Sequence, residues 1–346
     1  MGLGGAVAFA AAFGSPAGAA WAQPYTMKLA IFASDDPLWE YIKEFKSRIE
    51  ERSGGRIKAE LYPSGRLGGI ARMADGVLLG TIEMFASPPS FFKGADPRFQ
   101  VTDAPGLFDD IEHAQRTLTD PAFRDRYLAI GEAKGVVGVS LWTYGPTSYA
   151  TLAPVRTLDD FKGKKIRVLA TSIERGIMAK VGAAGVPMNF SEVLGALQDR
   201  AIDGVRANIT LMGAAKFFAA ARYVTVIEDT MVPCAGMVST AFLRKLPPDL
   251  RHAVEIVGRE VEPRMLAVAL KYDSAAENLW RGNGAEVIRL SPADRGEFMR
   301  RAKAVGDEVM NSDPQLKPLY DEIKERAEFH RAKARGDRPR TPAWAG

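Results

Sequence analysis

The chain has 346 residues, enough for one large domain or two ordinary ones. Its 47% hydrophobic and 25% charged residues are those of a globular protein, which excludes a collagen-like fibre, a disordered chain and a disulfide-framed miniprotein. A net charge of +4 falls short of a nucleic-acid footprint, and a single cysteine (Cys234) with three scattered histidines argues against a disulfide framework or a zinc cluster.

The N-terminal stretch 1–22 carries no charge and is rich in Ala, Gly and Phe. Ala20 and Ala22 stand at the −3 and −1 positions of a small-x-small cleavage site before Gln23, so 1–22 reads as a secretory signal peptide, although no Lys or Arg follows Met1. No later segment reaches the roughly 18 apolar residues of a membrane helix. Export and a soluble life outside the cytoplasm are expected.

From Tyr25 onward short apolar runs alternate with amphipathic stretches, the pattern of an α/β protein. A strand is predicted over Met27–Phe32. The cap Ser34-Asp35-Asp36-Pro37 follows, then a helix burying Leu38, Tyr41, Ile42, Phe45 and Ile49 at the 3.6-residue period. Further strands are expected over 56–62 and 81–86, with a helix over 69–79 between them and an irregular Ser87-Pro88-Pro89 loop after. Val136–Trp142 reads as a strand ending at Tyr144-Gly145-Pro146. A capped turn at 157–163 precedes a strand over 165–169, and a helix is expected over 173–181. Short strands at 186–188, 202–205, 223–227 and 287–290, a helix from Ser191 to Arg200, a long helical region from Leu250 to about Trp280 and closing helices to Ala334 complete the reading. Two α/β lobes with a cleft between them are the simplest architecture, and ligands in such sheets sit beyond the carboxyl ends of strands.

Catalytic signatures are missing: there is no G-x-G-x-x-G, Walker-type loop or G-x-S-x-G elbow. The histidines read as solvated or structural, Cys234 as a buried small residue, and the paired aspartates at 109–110 and 159–160 as caps. No cofactor is expected. Arg167 stands out, because it lies between Ile166 and Val168 toward the carboxyl end of its strand. Burying a guanidinium there requires an anion, either a ligand carboxylate gripped by its planar fork or an internal acidic partner, and the residues weigh these two equally.

Several separated stretches then match one pattern in order: Ser53-Gly54-Gly55-Arg56-Ile57, Leu61-Tyr62-Pro63-Ser64-Gly65-Arg66-Leu67-Gly68, Gly80-Thr81-Ile82-Glu83-Met84 and Asp103-Ala104-Pro105-Gly106-Leu107-Phe108. They continue with Leu158 through Arg167, Gly185-Val186-Pro187-Met188, Glu192-Val193, Ala196-Leu197-Gln198 and Ile202-Asp203-Gly204. Together they resemble the solute-binding proteins of tripartite ATP-independent periplasmic (TRAP) transporters, the DctP type, over most of the chain. The resemblance implies a two-lobe periplasmic-binding-protein-like fold with hinge strands, a ligand cleft and a long helix spanning both lobes. It divides the chain into lobe I (23–144 plus 233–272), lobe II (145–232 plus 273–330) and a basic tail (331–346). It further implies a small organic-acid ligand, delivery to TRAP membrane permease subunits, and no nucleic-acid partner. A monomer is expected, with a dimer through the tail as the alternative.

In that family the arginine of the K-I-R-V strand meets the ligand carboxylate, which favours the ligand-binding reading of Arg167. Phe190, just before the S-E-V helix, falls where a residue packs on the ligand, with an ordinary core aromatic as the competing reading. This chain departs from the pattern at Thr147, where many members carry a second arginine, and at Val205-Arg206-Ala207-Asn208, where an asparagine-proline pair is common. Thr147 points to a monocarboxylate or to a ligand with an apolar far end. Asn208 is a candidate for orienting the ligand. Arg206 is either a restored second charge or a solvated side chain. Phe32, Ser87, Trp142 and Tyr144 would give an aromatic cleft. The competing functions are an enzyme acting on an organic acid, with Glu228 or Asp229 as its base, and a sensor partner on the same scaffold.

Overall fold

Among the described residues nine strands form one mixed sheet, whose two longest members carry the chain from one half of the molecule to the other. The computed structural model describes residues 24–336, so the signal-peptide reading and the end of the basic tail lie outside the described residues. The strands are β1 (Tyr25–Ala30), β2 (Ile57–Tyr62), β3 (Met84–Ser87), β4 (Val136–Thr151), β5 (Lys165–Val168), β6 (Ala184–Pro187), β7 (Gly204–Asn208), β8 (Tyr223–Ser239) and β9 (Glu286–Arg289). Their order is β2-β1-β3-β8-β4-β7-β5-β6, with β9 added to β8.

The antiparallel pair β4 and β8 is the structural hinge between two α/β units. The C-terminal part of β8 pairs with β3 at Ala235–Val238, while its N-terminal part pairs in parallel with β9 at Tyr223–Val226. Likewise only the second half of β4, Thr147–Thr151, pairs with β7. The expectation that the first of these strands stops at Trp142 is corrected. Gly145 and Pro146 lie inside β4, which passes them with register shifts between Thr143 and Gly145 and between Pro146 and Ser148. A proline has no N–H for the ladder and is tolerated where the pairing is irregular, so the signal read as a stop marks a bend in a continuous strand. β8 likewise runs on past Ile227 to Ser239.

Alternation along the strands sorts the core by face. Met27, Leu29 and Ile31 of the first strand segment pack with Trp142, Cys234 and Val238, beneath helix Pro37–Arg52. Val205, Val224 and Trp280 form a second group on the same side in the other half. On the opposite side Ala30, Leu141, Ile166, Ile227 and Met237 belong to one core that spans both halves. The halves therefore share an apolar floor on one side and are separate on the other.

Helix Pro248–Gly282, of 35 residues, ties the halves together and is roughly 50 Å long at 1.5 Å per residue. It packs on β4 and on helix Pro37–Arg52 near its start, and on helix Ile209–Ala214 and β9 toward its end. Gly258 lets it lie directly on β4: a Cβ there would stand 2.2 Å from the Val139 carbonyl oxygen. Glu262 fixes the register, accepting from the Leu141 N–H at 2.7 Å and from buried Arg124 at 2.7 Å. At the far end Trp280 donates to the Ile209 carbonyl at 3.1 Å.

The helix expected over Ser191–Arg200 is a 3-10 turn at Phe190–Glu192 followed by helix Val193–Gln198. Helices Ile111–Leu118 and Pro121–Ala129 add to the sequence reading. The basic run begins inside the last helix, Lys317–Ala334, where Arg331 grips Asp109 through Nε at 2.7 Å and Nη2 at 2.8 Å.

Candidate functional site

β5 places Arg167 where the strand turns inward: Lys165 is exposed, whereas Ile166, Arg167 and Val168 are buried. The guanidinium is 2% exposed. Its Nε and Nη2 donate to the Met188 carbonyl, just after β6, at 3.1 and 3.0 Å. Among the described residues no carboxylate pairs with it. Burial pulls its pKa down, and the charge of Glu174 opposes that shift without contacting it. A guanidinium carries five N–H donors, two of them from Nε and Nη2 meet Met188, and the side chain borders unfilled space.

That space is a cavity with an empty volume of about 540 Å³, part of it open to solvent. Of the residues singled out in the sequence, Arg167, Phe190, Thr147, Asn208, Phe32 and Tyr144 line it. Ser87 and Trp142 do not. Ser87 is fully buried at the end of β3, with its hydroxyl on the Pro88 carbonyl. Trp142 lies behind the cavity, stacked on Tyr41 with ring centroids 5.8 Å apart.

Phe190 combines the two readings given for it. One side of its ring packs on Phe217 at 5.2 Å, and the Arg167 guanidinium carbon stands 5.7 Å from its centroid. Across the cleft its edge meets Phe32 at 6.2 Å. Phe91, Ile70, Pro88, Leu169, Leu211 and Val232 complete an apolar wall. A second, more open recess shares Phe32, Ile70, Phe190 and Leu211 with this cavity and adds Ser34 and Gly65 on one rim and Asn189 and Ala214 on the other.

Arg206 is the largest departure from expectation. The solvated reading fails: Arg206 is 4% exposed and ion-paired on both sides. Nη1 lies 2.8 Å from Glu174, Nη2 lies 2.5 Å from Asp229, and Nε reaches the Tyr149 hydroxyl at 3.2 Å. Burial works against its charge, but the Asp229 and Glu174 carboxylates outweigh it and hold the group firmly protonated. Asp229 in turn accepts from the Thr147 hydroxyl at 2.7 Å. Sequence alone does not reveal this cluster, because Glu174, Arg206 and Asp229 come from three separate elements.

The remaining wall groups are also engaged. Asn208 caps helix Ile209–Ala214, its Oδ1 accepting from the N–H of Thr210 at 2.8 Å and of Leu211 at 3.2 Å, while Nδ2 donates to the Pro146 carbonyl at 2.9 Å. Gly145, at φ 139°, leaves room for this amide: a Cβ there would stand 2.8 Å from Nδ2. Tyr144 donates to buried Asp36 at 2.8 Å. Burial raises the Asp36 carboxyl to about 6, despite the hydrogen bonds from Tyr144 and the Trp39 N–H. Cys234 is buried, and burial keeps its thiol protonated.

Residues 30–313 match the family model described as bacterial extracellular solute-binding protein, family 7. The chain is 30% identical over 268 residues to the 2,3-diketo-L-gulonate-binding periplasmic protein YiaO of Escherichia coli, covering 77% of this chain and 80% of that one. It is 27% identical over 324 residues to the C4-dicarboxylate-binding periplasmic protein DctP of Rhodobacter capsulatus, covering 93% and 92%. A solved TRAP periplasmic solute-binding protein of Shewanella oneidensis with bound succinate superposes with a TM-score of 0.81 at 25% identity, covering 88% of this chain and 99% of that one. A match over this much of the chain, joined to the two-unit sheet and the cavity at its crossing strands, identifies the chain as a member of the family 7 bacterial extracellular solute-binding proteins, the solute receptors of TRAP transporters.

Proposed function

We propose that the chain is a periplasmic receptor that closes on a small organic acid, holds its carboxylate on Arg167, and presents it to the membrane permease of a TRAP-type transporter. The observation that carries this reading is the guanidinium of Arg167, buried without an acidic partner and facing a cavity. Leaving such a charge desolvated is costly, and a carboxylate meeting the fork offsets that cost through charge-assisted hydrogen bonds. Phe190 and Phe32, from opposite sides of the cleft, pack on the body of the ligand. The relatives named for 2,3-diketo-L-gulonate and C4-dicarboxylates, and the neighbour with succinate, support the same ligand class.

The receptor works as a monomer of two lobes, 23–144 plus 233–272 and 145–232 plus 273–330, which move about β4 and β8. A ligand touching both lobes shifts the population to the closed state, because only that state offers both sets of contacts. An enzymatic role would need a free base, and Asp229 is instead committed to Arg206, Thr147 and Thr230. Calorimetric titration of organic acids into the wild type and Arg167→Ala tests the proposal. Loss of a charge-assisted bidentate contact, about 3 kcal/mol or more, weakens affinity over a hundredfold. Equal affinity in the variant refutes it.

A further inference from the structure

Six polar side chains line the cavity, namely Tyr144, Thr147, Arg167, Glu174, Arg206 and Asn208, and the protein itself engages five of them. Tyr144 is held by Asp36, Thr147 by Asp229, and Asn208 by the cap of its helix and the Pro146 carbonyl. Glu174 accepts from Arg206 on one oxygen and from the Leu169 N–H on the other at 2.7 Å. Only Arg167 retains donors without a charged partner. The other guanidinium, Arg206, stands against two carboxylates: Glu174 borders the cavity beside it and Asp229 lies behind, so the cluster as a whole carries net negative charge. The rest of the wall is aromatic and aliphatic.

Resting on the reading that Arg167 receives the carboxylate, we infer that the site selects acids with one carboxylate on a compact apolar body, branched aliphatic or single-ring, over dicarboxylates and polyhydroxylated acids. The first carboxylate meets an unpaired cation. A second one meets the Arg206 cluster, whose positive charge is already exceeded by Glu174 and Asp229, and like charges in a low-dielectric pocket repel strongly. Hydroxyl groups fare no better. Each would lose its water and find wall groups already bonded to one another, and a buried polar group without a partner is penalised. Glu174 is the specificity-determining residue, because it both engages Arg206 and places a negative charge on the wall.

The test is calorimetric titration of the mature chain with size-matched probes: 4-methylpentanoate and phenylacetate against glutarate, succinate and gluconate. The expected result is at least tenfold tighter binding of both monocarboxylates. Glu174→Gln removes a negative charge from the Arg206 cluster and is expected to narrow the gap to glutarate at least threefold; should that variant fail to fold, the wild-type ranking decides. Glutarate, succinate or gluconate binding as tightly as the monocarboxylates overturns the selectivity. If Arg167→Ala abolishes that binding, the carboxylate anchor stands and only the selectivity falls. If Arg167→Ala leaves it unchanged, or if no probe of either series binds at millimolar concentration, both readings fall.

Discussion

Lys93 reaches across the cleft and donates to the carbonyl of Ala170 at 2.7 Å. Lys93 follows β3 and Ala170 follows β5, so the bond joins segments from opposite halves of the sheet order. Phe32 and Phe190 bridge the same gap through an edge-on contact. In the proposed closure these contacts belong to the closed arrangement and are lost when the halves separate.

Lys93→Ala should therefore weaken ligand affinity through closure, without touching the ligand. One hydrogen bond of net worth about 0.5–1.5 kcal/mol corresponds to a loss of roughly twofold to tenfold. Titration calorimetry should show this change while the melting temperature of the ligand-free protein stays within about a degree. Unchanged affinity would mean that the bond does not distinguish open from closed.

Asp36 makes stability depend on pH in the direction opposite to most carboxylates. Its folded-state carboxyl is raised from 3.8 to about 6, so the folded protein binds the proton more tightly than the unfolded chain. The contribution is fully present below about pH 4 and declines as pH rises through 6. Asp36→Asn stays neutral throughout and retains a cap. Between pH 4 and pH 7 the wild type should lose of order 3 kcal/mol relative to this variant, as measured by urea denaturation at both pH values. Asp103, raised to about 7, and Asp273, raised to about 6, are common to both proteins and cancel in the difference. A pH-independent difference would show that Asp36 is ionised in the fold.

Glu262 carries the link between the long helix and β4. Removing it in Glu262→Ala leaves the Leu141 N–H unpaired and Arg124 held only by Asp125 and the Val139 carbonyl, and leaving a buried donor unsatisfied costs about 1–3 kcal/mol. Glu262→Gln keeps an acceptor and should fall between this variant and the wild type in a denaturant titration. Equal stability of all three proteins would remove this pair from the account of the helix.

Gly145→Ala combines a strained backbone with a collision against Asn208. Destabilisation of about 1–3 kcal/mol is expected, together with weaker ligand binding, because the displaced amide also caps the helix bordering the cavity. Denaturation and calorimetry on the same sample check both effects. A variant with wild-type stability would show that the strand bends freely at this point.

Much of the sheet was legible from local pattern. The apolar stripe of helix Pro37–Arg52, the short strands β1, β2 and β5, and the long helix all follow from periodicity and caps, which need only neighbouring residues. Arg167 was legible for the same reason, as a charge out of place in an apolar strand. The true length of β4 was hidden, since Gly145-Pro146 is written identically whether a strand ends there or bends through a register shift. Ser87 in the proline loop and Trp142 near the hinge read as cleft residues, yet Trp142 is drawn onto Tyr41 of the helix packed behind it.

By itself the sequence determined most of the short strands, the periodic helices and their caps, and marked one arginine as requiring an anion. Only the tertiary structure decided which arginine remains without one. Arg167 and Arg206 both sit in buried strands, but the packing of Glu174 and Asp229 against Arg206 neutralises that guanidinium and leaves Arg167 facing the cavity. Charge compensation depends on distances between residues far apart along the chain, and those distances exist only once the sheet has closed.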